Sequence, residues 1–218
     1  MIRYDNIQQK SIEWLQVKWS KIGGTRSSIL FKDSEAIFNE LFSELTEEFQ
    51  LEPSFTSEAM ERGNELEPFA RNFLNFTYDL DLKETGWLQS EINPLLGISP
   101  DGISDDNKVA CEIKCLGRKK HSEILINNQV SLDFIPQIVH YFVVNPELLY
   151  LYFIAYRPEA ISNYTYIFNR GSFVNIGTKA KPVIKQIDEL VEIAHKKANK
   201  IAYDLTKSID YYTNLLPF

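Results

Sequence analysis

The sequence predicts an α/β protein: a central mixed β-sheet flanked by helices, a helical N-terminal region and a long C-terminal helix. Three observations predict it. Apolar residues recur at helical spacing up to Tyr78; between Thr85 and Phe168 they mostly gather in short runs separated by turn residues; after Pro182 the helical period returns. The order helices, strands, helix, strands, helix suits layers of sheet and helix around a shared core. With 218 residues, 44% of them hydrophobic and 13% aromatic, the chain can build one sizeable core. It is read as a single domain over 1–218, with a helical region over 1–56 and the core and last helix over 57–218.

Element by element, Ile7 to Ile22 carries Ile12, Leu15, Val17 and Trp19 at helical spacing, and Gly23-Gly24 stops it. A second helix is expected over Ser34 to Phe49, with Ile37, Leu41, Phe42 and Leu45 on one face. Ser57 is a suitable N-cap for a third, running to Tyr78 with Leu66, Phe69, Ala70 and Phe73 inward and a kink expected at Pro68. Strands are expected at Thr85 to Ile92, Leu95 to Ser99, Gly102 to Ser104 and Val109 to Cys115, divided by Asn93-Pro94, Pro100-Asp101-Gly102 and Asp105-Asp106-Asn107. A helix follows from Phe134 to Val144, where Pro136 fits only the first turn. Leu148 to Tyr156 and Tyr164 to Phe168 read as strands. Val183, Ile187, Leu190, Val191, Ala194, Ala198, Ile201 and Leu205 mark the long helix from Pro182 to Tyr211.

Composition narrows the function classes. A net charge of −7 argues against a bulk electrostatic binder of nucleic acid, although a local basic channel can sit on an acidic molecule. Two cysteines, Cys111 and Cys115, are too few for a disulfide framework, a four-thiolate metal site or an iron–sulfur cluster. His121, His140 and His195 are scattered without zinc spacing, and no glycine-rich phosphate loop signals ATP dependence. The opening Met1-Ile2-Arg3-Tyr4-Asp5 lacks a signal-peptide pattern, and the apolar run from Tyr141 to Tyr156 is broken by Asn145-Pro146-Glu147, so a cytoplasmic protein without a membrane span is expected.

The chemistry concentrates in Ser99-Pro100-Asp101-Gly102 and Cys111-Glu112-Ile113-Lys114-Cys115. Alternation along a strand puts Glu112 and Lys114 on one face and Cys111, Ile113 and Cys115 on the other. If the two segments pair as a hairpin, Asp101 comes beside Glu112. Two carboxylates and an ammonium together suit phosphodiester hydrolysis: the carboxylates hold Mg²⁺ or Mn²⁺, and Lys114 orients water and faces charge building on phosphate. Taken alone, the same residues also fit a Pro-Asp-Gly turn and an exposed Glu/Lys pair.

The wider pattern resembles the YqaJ/lambda-exonuclease family of PD-(D/E)xK nucleases. Arg62-Gly63-Asn64-Glu65-Leu66-Glu67-Pro68, Ser99-Pro100-Asp101-Gly102, Glu112-Ile113-Lys114-Cys115 and Gln137 follow in that family's order and separation, from Trp14 to the last helix. The resemblance implies a restriction-endonuclease-like core forming a single nuclease domain. It implies Asp101, Glu112 and the Ile113 carbonyl as metal ligands, Lys114 as the catalytic lysine, Glu67 as the acid supplied by the preceding helix, and Gln137 beside the scissile phosphate. Trp14 to Thr25 looks like the family's opening segment, in which Lys18 and Thr25 would receive a DNA 5′-phosphate. Lys18 stands where the family often has Arg, so Arg26 is an alternative donor. Ser99 belongs to the second motif and is a DNA-contact candidate, and Arg118-Lys119-Lys120-His121 could line a DNA channel or form a solvated loop. The family further implies 5′-to-3′ exonuclease action on double-stranded DNA ends, a homotrimeric ring, an annealing-protein partner and a place in phage recombination, in a bacterial or phage-infected cell. An endonuclease on the same scaffold and a non-catalytic DNA-end-binding module are the competing readings.

Overall fold

The computed structural model describes residues 1–51 and 57–215; the boundary drawn at 56/57 abuts residues that lie outside this set. The chain opens with strand β1 (Ile2–Tyr4), helix α1 (Ile12–Lys18) and a 3₁₀ helix (Gly24–Leu30), followed by α2 (Glu35–Thr46) and α3 (Glu58–Tyr78). Strands β2 (Trp87–Gln89), β3 (Gly97–Ile98), β4 (Gly102–Ile103) and β5 (Val109–Lys114) lead to α4 (Arg118–Asn127), a 3₁₀ turn (Leu132–Phe134) and α5 (Ile135–Val144). Then come β6 (Tyr150–Ala155), β7 (Tyr164–Phe168), β8 (Phe173–Asn175), β9 (Ile184–Gln186) and α6 (Ile187–Leu215).

The expected mixed sheet is β4-β5-β6-β7. β4 and β5 pair antiparallel, β5 and β6 parallel, and β6 and β7 antiparallel. The parallel step requires a crossover, which α4 and α5 supply. The expected strands before Ser99 do not join this sheet: β2 and β3 form a separate antiparallel sheet with β1. The main core lies between the mixed sheet, α5, α6 and the Gly24–Leu30 turn. A smaller cluster (Ala70, Leu74, Leu82, Cys111, Ile113 and Ile154) binds α3 to the other face of β5.

Several expectations are corrected. The first helix does not span Ile7 to Ile22, because the Ser11 hydroxyl caps it, accepting from the Trp14 N–H at 3.2 Å. It ends at Trp19, in time for Ile22 to become extended and bridge to Leu96. The strand from Thr85 shrinks to β2, since the Thr85 hydroxyl turns to Asp5 and the Ser90 hydroxyl accepts from the N–H groups of Ile92 and Asn93. In α3, Phe69 and Phe73 are exposed, and Ala70, Arg71 and Leu74 face inward; the helix buries only a narrow stripe against β5. Pro68 lies inside α3, as expected. Leu45 of α2 is also exposed.

Arg118 to His121 is no loop but the first turn of α4, with His121 and Ile124 buried. Cations in a first helical turn oppose the helix dipole, which masks the start from a sequence reading. The end conforms better: Asn128 takes the left-handed conformation at φ 47°.

Candidate active site

β5 displays the expected alternation. Cys111 and Ile113 pack under α3, while Glu112 and Lys114 face α5. Gly102 pairs with Cys111, so one step further along the antiparallel register sets Asp101 opposite Glu112. Asp101 accepts the Ile113 N–H at 2.6 Å, stitching the turn before β4 to the end of β5. Arg71 reaches over from α3 to donate to the Asp101 carbonyl and, at 3.2 Å, to Glu84. A side chain at Gly102 would lie 2.9 Å from the Cys111 sulfur and 3.0 Å from Arg71 Cδ, so glycine is what lets α3, β4 and β5 close up here.

Glu112 is only 1% exposed and is fully engaged. It forms an ion pair with Lys114, takes Gln137 Nε2 at 2.9 Å and takes the Tyr141 hydroxyl at 2.7 Å. Lys114 also donates to Gln137 Oε1 at 3.2 Å. Gln137 and Tyr141 are one turn apart on α5 and so share a face. The result is a closed network in which a buried carboxylate has a charge partner and neutral donors.

Glu67, Asp101, Glu112, Ile113, Lys114 and Gln137 line one open pocket of about 370 Å³, so the principal sequence candidates do meet. Three carboxylates there face one ammonium, and the electrostatics record the imbalance. Burial, then repulsion from Glu112 and Glu67, holds the Asp101 carboxyl well above its ordinary value; Lys114 and the Ile113 N–H offset only part. Burial alone would lower Lys114, but Glu112, Asp101 and Glu67 raise it, so the ammonium stays charged. Burial, then Glu112 and Asp101, raises Tyr141 well above the usual phenol value.

This donor set fits a hard divalent cation: clustered oxygens, excess negative charge and a carboxylate that burial penalises for lacking a counter-charge. The side chains are not pre-arranged as a cage. Among the described residues no three His, Cys, Asp or Glu side chains converge as metal ligands, because Glu112 turns to Lys114, Asp101 to the Ile113 N–H, and Glu67 towards Lys10 at 4.0 Å.

The remaining candidates lie elsewhere. Thr25 lines a second, larger cavity together with Gly24 and Gln137. Lys18 sits over the Trp14 ring, 3.9 Å from its centroid, and burial followed by the neighbouring Arg26 lowers its amine. Arg26 itself is committed to Glu44 at 2.7 Å and Glu40 at 3.3 Å. The Ser99 hydroxyl donates to the Gly86 carbonyl and accepts from Trp14 Nε1, both at 2.7 Å. Arg118 and Lys119 are exposed on α4 and line neither cavity. Two residues escaped the sequence reading. Lys10 donates to Asn64 at the pocket rim at 2.7 Å, and nothing local in the sequence announces that reach. Arg71 was detectable, since it lies four residues after Glu67 on one helix.

Fold and pocket together define a restriction-endonuclease-like α/β protein with an acidic site gathered around a single lysine. The profile of the YqaJ-like viral recombinase domain matches residues 13–146, and the chain belongs to that family. Two solved structures share its fold: the alkaline exonuclease LHK-Exo from Laribacter hongkongensis (TM-score 0.74) and LHK-Exo in complex with dAMP (TM-score 0.77). Each is 20% identical, with 94% of this chain and 97% of that chain covered. No curated protein matches the sequence significantly. Among the described residues no helix is long and apolar enough to cross a membrane.

Proposed function

We propose that this protein is a divalent-metal-dependent deoxyribonuclease, acting 5′ to 3′ on linear double-stranded DNA ends in phage-type recombination. The observation that carries the reading is the Glu112–Lys114 pair, set beside Asp101 in one pocket and locked by Gln137 and Tyr141. Membership of a viral recombinase family and a fold shared with an alkaline exonuclease support it.

Asp101, Glu112 and the Ile113 carbonyl would hold Mg²⁺ or Mn²⁺, with Glu67 assisting. The cation supplies Lewis-acid polarisation of the phosphoryl oxygen and acidifies water. Lys114, kept charged by its acidic neighbours, orients the attacking water and faces the charge that develops on phosphate. Gln137 holds Lys114 and Glu112 in register and lies beside the scissile phosphate, with Thr25 contacting the strand end. By family likeness the protein works as a ring-shaped homotrimer in the cytoplasm and hands the surviving strand to an annealing protein.

The test is incubation with 5′-phosphorylated linear duplex and with closed circular duplex, in Mg²⁺ or in EDTA. Linear DNA alone should be lost, and only with Mg²⁺. Lys114→Ala should remain folded but be slower by at least ~10²-fold, the scale of a lost transition-state donor. Cleavage of the circle would shift the assignment to an endonuclease, and wild-type rates in the variant would overturn the mechanism.

A further inference from the structure

The segment before α1 delivers a second ammonium to the acidic pocket. Its backbone is fixed on both sides of Lys10. Gln9 Nε2 donates to the carbonyls of Thr85 and Pro100 at 2.8 and 3.0 Å, which ties the segment to the turn that carries Asp101. Ser11 is the N-cap of α1. Between these anchors Lys10 takes the left-handed conformation at φ 69°, which residues other than glycine adopt rarely. Its side chain crosses to α3, where Nζ donates to Asn64 Oδ1 at 2.7 Å and stands 4.0 Å from Glu67 Oε2. Asn64 and Glu67 are about one turn apart on α3, and both line the pocket.

The charges around Lys10 give this reach a consequence. Glu67, Asp101 and Glu112 share the pocket with Lys114, and Lys114 is paired with Glu112. Among the described residues, Lys10 is the only cationic side chain within 4.0 Å of Glu67. The pair is loose. Lys10 has 55% of its side chain exposed, and a solvated ion pair at this distance contributes little to stability, so it opens without disturbing the fold.

We propose that Lys10 is a positioning residue: it holds the Glu67 carboxylate at the pocket rim and yields it when a divalent cation binds, so this ammonium sets the cation concentration the pocket requires. The proposal rests on the metal-dependent reading above and deepens it, since Glu67 is the acid that would assist the cation. Lys10 acts through Glu67 and touches neither Asp101 nor Glu112.

The full chain is titrated with Mn²⁺ at low ionic strength, where an exposed pair is least screened, and free Mn²⁺ is read by electron paramagnetic resonance. Lys10→Met keeps the apolar stem and removes the charge. It should bind Mn²⁺ about three- to fivefold more tightly than wild type, the scale of an exposed ion pair, with an unchanged melting temperature. Lys10→Arg keeps the charge and should bind like wild type. In a Glu67→Gln background the gain from Lys10→Met should shrink to below twofold, the signature of two residues that act together. A merely structural role predicts the opposite sign, because a loosened segment would relax the Asp101 turn and weaken binding. Unchanged or weaker Mn²⁺ binding in Lys10→Met, an equal gain in Lys10→Arg, or an undiminished gain beside Glu67→Gln overturns the role of Lys10 and leaves the nuclease reading standing. Absence of saturable Mn²⁺ binding in the wild type overturns the metal-dependent reading, and the role of Lys10 with it.

Discussion

At the scale of single residues, the site depends on groups that hold one another rather than on isolated acids. Gln137 is the clearest case, since one amide satisfies both Glu112 and Lys114. Its position is enforced from the N-terminal segment: a methyl at Gly24 would come 2.8 Å from Gln137 Nε2 and 3.1 Å from its Cδ and Cγ. Gly24→Ala should therefore displace the amide without disturbing the core. The expected outcome is a fall in kcat on linear duplex of ~10-fold to ~10²-fold, the scale of an ångström-level misplacement, with the melting temperature nearly unchanged. Full turnover in this variant would show that Gln137 does not position the pair. Asp101, Glu112 and Lys114 were legible as residues because a short strand with period two leaves little freedom in which face they share. Lys10 was not, because its long side chain reaches the site from a segment distant in sequence.

At the scale of elements, β5 and α5 were legible and α4 was not. β5 declares itself by alternation, and α5 by an apolar run with Pro136 in its first turn. α4 begins with three cations where a helix favours acids, so local charge spoke against the tertiary contacts of His121 and Ile124 that stabilise it. Phe69 and Phe73 followed the helical period, but α3 meets β5 through Ala70, Arg71 and Leu74, a rotation that no single-sequence pattern specifies. α5 also carries an acid-sensitive joint. His140 is fully buried, and its Nε2–H points to the carbonyls of Ile22 and Gly97, 3.0 and 2.9 Å away, tying α5 to the N-terminal segment and β3. Burial lowers its pKa to about 4, with the two carbonyl bonds offsetting part of the shift. Because the unfolded chain takes up this proton first, near pH 6.5, stability is lost as pH falls from there towards 4. The limit is about 3 kcal/mol for a shift of this size. Urea unfolding at pH 7.5 and 5.0 should show this loss in the wild type and a smaller one in His140→Gln, whose amide can still donate to the carbonyls. An identical pH dependence in the two proteins would rule out His140 as the source.

At the scale of the whole molecule, a chain of net charge −7 organises its charges locally: acids converge in one pocket, and Lys32, Lys120 and Lys179 line the adjoining cavity. The cost of the acidic pocket is borne by Asp101, whose carboxyl is raised well above the usual range by burial and by Glu112 and Glu67. A carboxyl raised by folding stabilises the protein only while protonated, and that contribution disappears as pH rises through its folded value. Asp101→Asn keeps an oxygen to accept the Ile113 N–H but removes the repelled charge, so at neutral pH the variant should melt at the same or a higher temperature. The central claim is that this repulsion persists because a divalent cation relieves it. Its most direct measurement is a Mn²⁺ titration of wild type and Asp101→Asn, followed by electron paramagnetic resonance. Saturable binding in the wild type, weakened at least tenfold in the well-folded variant, is the expected result; equal Mn²⁺ affinity in the two proteins would contradict it.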